Sequence, residues 1–105
     1  MSKTRKLLEK CRQFGVECDN EALRYLRRHS KLFPLVEMAI EKVHEVLPDA
    51  RMELTVYHDP VYCEKTLTLY VRHEDFNYAF DKIDELRPEI YSNIEPDEWF
   101  FITVK

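Results

Sequence analysis

Apolar residues recur every three to four positions through residues 3–47 and every second position in 52–56 and 67–71, so the chain changes period after residue 47. In the first part, Leu7, Leu8, Cys11 and Phe14 predict a short amphipathic helix over 3–14. Gly15 supplies its left-handed stop, with Val16 behind it. Asp19 or Asn20 is placed to cap a second helix in which Leu23 and Leu26 face inward, running until Phe33-Pro34, because a residue before proline avoids the helical region. Pro34 suits the first turn of a third helix. There Leu35, Val36, Ala39, Ile40, Val43, Val46 and Leu47 form a broad apolar face, with Glu37, Glu41 and Glu45 on the other side.

After "PDAR" at 48–51 the alternation begins. Met52, Leu54 and Val56 alternate with Glu53, Thr55 and Tyr57, and Leu67, Leu69 and Val71 alternate with Thr66, Thr68, Tyr70 and Arg72. Asp59-Pro60 between them opens a turn, so the two strands read as an antiparallel hairpin. Asp75 caps a fourth helix whose buried stripe is Phe76, Ala79, Phe80, Ile83 and Ile90, bent or restarted at Pro88. The run "WFFITV" at 99–104 is a last strand.

The expected fold is therefore α+β: three N-terminal helices followed by a β-β-α-β unit that forms a three-stranded sheet. The crossover through the fourth helix should be right-handed, with helices three and four covering the Leu/Val face and Phe100, Ile102 and Val104 joining that core. The opposite face carries Thr55, Tyr57, Thr66, Thr68, Tyr70, Trp99, Phe101 and Thr103. The first two helices either fold over it, giving three layers, or leave an aromatic patch of the kind that marks a protein interface.

A chain of 105 residues with 45% apolar content fits one domain with a real core. No run approaches the length of a membrane span and the first twenty residues lack a signal-peptide pattern, so a cytoplasmic protein without membrane contact is expected. Cys11, Cys18 and Cys63, an odd number without a Cys-x-x-Cys pair, read as free thiols. Gly15 is the only glycine, which removes glycine-rich phosphate loops, dinucleotide fingerprints and the Gly-x-Ser-x-Gly nucleophile turn. No enzyme activity and no cofactor are expected on these grounds.

One stretch, "TVYHDPVYCEK" at 55–65, looks like chemistry. For a zinc site His58, Asp59 and Cys63 supply three donors, but the obvious fourth, His73, falls near residue 51 across the hairpin, roughly 20 Å from His58. For a thiol enzyme, Glu64 and Lys65 cancel around Cys63 and nothing rigid orients His58. The stretch reads as a polar turn, with a thiol or metal enzyme the remote alternative.

Charge is segregated. Residues 1–31 hold nine Lys and Arg against four Asp and Glu, while the remainder holds seven against sixteen. The chain thus divides into a basic helical hairpin over 1–33 and an acidic α-β-β-α-β body over 34–105. Arg24, Arg27, Arg28 and Lys31, at i, i+3, i+4 and i+7, form a basic stripe able to meet phosphates. The net charge of −4 weighs against a polyanion, which leaves nucleic-acid binding as the alternative rather than the leading reading.

The helix ending in "LPDARMELTVYHDP", followed by "TLTLYVR" and by "DKIDELRPE", resembles a group of small uncharacterised prokaryotic α+β proteins over about the last 70 residues. The resemblance implies the fold and carries no activity, ligand or catalytic residue. The reading that remains is a non-enzymatic module that binds a protein, or a second copy of itself. Its candidate face is Thr55, Tyr57, Thr68, Tyr70, Trp99 and Phe101, with the basic stripe as a second surface.

Overall fold

The computed structural model describes residues 2–92 and 100–105. Its elements are α1 (Lys3–Phe14), β1 (Val16–Cys18), α2 (Asn20–Arg28), α3 (Leu32–Val46), β2 (Arg51–His58), β3 (Lys65–Arg72), α4 (Phe76–Tyr91) and β4 (Phe100–Val104). The α+β class stands, but the sheet has four strands rather than three, in the order β1-β2-β3-β4.

The added strand explains why residues 1–33 are not a helical hairpin. Gly15, at φ +70°, ends α1 in the left-handed region, and its N–H caps the Cys11 carbonyl. The reversal lays Val16, Glu17 and Cys18 parallel to Met52, Glu53 and Leu54. Asp19 then starts α2 at once, its Oδ1 accepting the Ala22 N–H at 2.8 Å. Three residues are too few for an alternation to register, so β1 is hidden in the sequence between two helices.

β2 and β3 pair antiparallel from Arg51↔Arg72 to His58↔Lys65, and β4 runs parallel to β3 with Leu69 beside Ile102. One face of the sheet carries Val16, Met52, Leu54, Val56, Leu67, Leu69, Val71, Phe100, Ile102 and Val104, all buried. Every helix sends its buried residues into this same core, Leu7 and Cys11 from α1, Ala22 and Leu26 from α2, the broad face of α3, and Ala79, Ile83 and Ile90 from α4. The architecture is two layers, helices over one sheet face.

Two helix faces differ from expectation. Phe76 and Phe80 are 50% and 40% exposed and stack on each other at 6.2 Å instead of joining the core. α4 continues unbroken through Pro88, and its inward stripe is set by Ala79, Ile83 and Ile90. On α3, Glu37 is buried rather than solvated, because α1 lies along that flank. Lys6 and Lys10, four apart on α1, meet Glu37 and Glu41, four apart on α3. Lys42 reaches Glu89 at 2.6 Å and ties α3 to α4.

No helix among the described residues is long and apolar enough to cross a membrane.

Candidate functional site

The hairpin turn resolves first. Asp59 Oδ1 accepts the N–H groups of Val61 and Tyr62 at 2.8 and 3.1 Å, and the Asp59 carbonyl accepts from Cys63 N–H at 2.9 Å. Cys63 sits at φ 55° and is exposed. His58 faces away from it. Its Nε2–H points between the carboxylate oxygens of Glu21 on α2, 2.9 Å from each. His73 lies just past Arg72, which pairs with Arg51 at the far end of the hairpin, and its Nδ1 accepts the Asp75 N–H at 3.0 Å. The reactive-looking side chains are thus divided among a turn, a strand-to-helix bond and a helix entry.

The second face of the sheet is laid out in rows by the strand register. Arg51 and Arg72 form one end; Glu17, Glu53, Tyr70 and Thr103 form the next row; Thr55, Thr68 and Phe101 the third; Tyr57 and Thr66 the fourth. No helix among the described residues contributes its buried side chains to this face. Tyr57 is 46% exposed and Phe101 43%. Tyr70 is half-buried, with Lys105 Nζ 4.9 Å from its ring centre. Thr68 differs from the others in being only 4% exposed. It sits on a central strand between Thr55 and Phe101, and its hydroxyl donates to the Thr66 carbonyl at 3.2 Å. It is therefore a floor for the face rather than a contact residue. Trp99 lies outside the described residues.

Both sides of the third row are held from the flanks. Thr55 donates its hydroxyl to Asp19 Oδ2, while Tyr91 of α4 meets Phe101 edge-on, ring centres 6.3 Å apart. The β4 edge is closed as well. Ile102 N–H donates to the Tyr91 hydroxyl at 3.1 Å, and the Ile102 carbonyl accepts from Arg87 Nε and Nη2 at 3.3 and 3.2 Å. A strand edge whose groups are taken up in this way does not offer itself to another strand.

The basic stripe is placed differently from the sequence expectation. α2 ends at Arg28, so Arg24, Arg27 and Arg28 are helical, while Lys31 lies beyond the turn at the entry to α3. Arg24 and Arg28 line a groove of about 380 Å3 together with Glu21, Tyr25, His29, Val56 and Lys65. Sequence reasoning missed Tyr25, His29 and Lys65. The signal available was the spacing of Glu21, Arg24, Tyr25, Arg28 and His29 at i, i+3, i+4, i+7 and i+8, one complete helix stripe that is polar throughout.

Cys11 on α1 and Cys18 on β1 are free thiols on either side of the α1–β1 reversal. The Cys18 S–H donates to the Asp19 carbonyl at 3.8 Å, and the influence of the Cys18 thiol holds the Cys11 thiol below its ordinary value against the opposing effects of burial and the Glu37 charge. The influence of the Cys11 thiol, then burial, raises Cys18.

Comparison with protein families, curated proteins and solved structures finds no match to this chain.

Proposed function

We propose that this protein is a non-enzymatic interaction module that works by pairing with a second copy of itself through the open face of its sheet. The observation that carries the reading is the exposure of Tyr57 and Phe101 on a face that no helix covers among the described residues, while the Leu/Val face is buried under all four helices. Closure of the β4 edge by Arg87 and Tyr91 favours face-to-face over edge-to-edge association.

A second copy is the favoured occupant because the cations and an exposed aromatic ring lie at opposite ends of the face. Arg51 and Arg72 occupy one end of the face and Tyr57 the other. A two-fold axis in the interface plane, perpendicular to the strands, sets each arginine end over the tyrosine end of the other copy. It also keeps the two arginine rows apart.

Strands of three, eight, eight and five residues, at a rise of about 3.3 Å and a spacing of about 4.8 Å, give a face of roughly 400 Å2 per copy. Twice that area lies below the standard range of stable interfaces, so the expected dimer is weak and transient, with a dissociation constant on the order of micromolar or above. Sedimentation velocity over a concentration series tests this. The sedimentation coefficient should rise with concentration in the wild type and stay at the monomer value in Tyr57→Glu. A wild-type protein that remains monomeric at the highest concentration overturns the reading.

A further inference from the structure

A second surface lies on the other side of the sheet, where the core runs out toward the hairpin tip. The Asp19 cap turns α2 back alongside β2 after only three residues of β1, so the last residues of β2 have β3 on one side and no strand on the β1 side. Ala22 and Leu26 go into the core. The adjacent stripe, Glu21, Arg24, Tyr25, Arg28 and His29, lines a groove together with Val56 of β2 and Lys65 of β3. By the strand register Lys65 pairs with His58, and His58 holds Glu21.

We propose that this groove binds the phosphate group of a small anionic ligand, with Arg24, Arg28 and Lys65 as its charged contacts. Three cations from two elements converge on one concavity, and the groove's one carboxylate, Glu21, is already engaged by His58. Among the described residues no Asp or Glu forms an ion pair with Arg24, Arg28 or Lys65, although the chain carries 20 acids against 16 bases. Two guanidiniums one helical turn apart offer paired N–H donors that match phosphate oxygens, and the lysine ammonium adds a point charge from β3. Tyr25 and His29 stack at 4.4 Å with their planes 28° apart, giving the groove a flat aromatic side. A groove of about 380 Å3 fits a small molecule. The site is separate from the open sheet face: Val56 and Lys65 belong to the helix-covered side, Tyr57 and Thr66 to the other.

The test is an amide chemical-shift titration of the labelled full chain with pyrophosphate, AMP and a short single-stranded RNA, at fixed ionic strength. Saturable shifts should appear with pyrophosphate and AMP at Arg24, Tyr25, Arg28, His29 and Lys65. Binding should weaken about tenfold or more in Arg24→Ala/Arg28→Ala and remain unchanged in Arg27→Ala, whose guanidinium is on the same helix but does not line the groove. All three residues are exposed, so the variants keep the fold. Absence of saturable shifts, or equal weakening by Arg27→Ala, overturns the proposal. Tighter binding of RNA than of AMP, with shifts extending to Arg27 and Lys31, also overturns it, in favour of an extended polyanion surface.

Discussion

The guanidinium of Arg87, on α4, donates two hydrogen bonds to the carbonyl of Ile102, on β4, at 3.3 and 3.2 Å. Because the Ile102 N–H is taken by the Tyr91 hydroxyl, both outward backbone groups of the mid-strand residue are satisfied by side chains one helical turn apart. Arg87 also pairs with Asp84 at 3.2 Å and lies 5.3 Å from the Phe80 ring centre. One side chain thereby accounts for two otherwise odd features: an edge strand without a free edge at its middle, and a phenylalanine left outside the core.

Arg87→Ala should therefore act in two ways. Loss of the charged donors leaves the Ile102 carbonyl half-buried without its bonds and should cost about 1.5–2 kcal/mol, read as a lower urea midpoint. The reopened edge should also increase light scattering on slow heating. Arg87→Lys, which keeps the charge and loses the fork, should recover part of the stability only. An unchanged urea midpoint in Arg87→Ala would show that the edge is not held by this contact.

Asp19 joins three elements, since it follows β1, caps α2 through Oδ1 and receives the Thr55 hydroxyl of β2 through Oδ2. Asp19→Ala should destabilise the protein by about 1–2 kcal/mol, the range for a lost helix N-cap. Asp19→Asn retains an oxygen for the Ala22 N–H and should lose less. Thermal unfolding of the two variants beside Thr55→Val separates the cap from the strand contact. Equal losses in Asp19→Asn and Asp19→Ala would assign the effect to charge rather than capping.

What the sequence made legible follows from segment length and from the number of faces an element buries. α1, α3, the hairpin and α4 each repeat their pattern several times, so their positions and the Asp59-Pro60 turn could be read directly. β1 could not, because Val16–Cys18 offers a single alternation and is revealed only by Met52–Leu54 beside it. Glu37 read as solvated because helical spacing places a residue on a face but does not say that α1 will occupy it. The same limit hid the groove: Arg24 and Arg28 were visible as a basic stripe, whereas Lys65 joins them only through the hairpin register.

The alkaline limb of the stability curve should report the Cys11–Cys18 pair. An ordinary thiol loses its proton near 9.0, and the mutual influence of Cys11 and Cys18 moves the two groups in opposite directions from that value. For Cys11, lowered, the folded state sheds a proton before the unfolded state does, so stability rises as pH climbs toward 9.0. For Cys18, raised, the unfolded chain sheds a proton above 9.0 that the folded chain retains, so stability falls from there upward. The descent should approach about 1 kcal/mol per pH unit, since Cys18 is partly exposed and each retained proton corresponds to at most about 1.4. Urea unfolding at pH 8, 9 and 10 should show this loss in the wild type and a shallower one in Cys18→Ser, whose hydroxyl does not titrate in this range. All other side chains are common to both proteins and cancel in the difference. Parallel curves for the two proteins would mean that the thiol pair does not couple to folding.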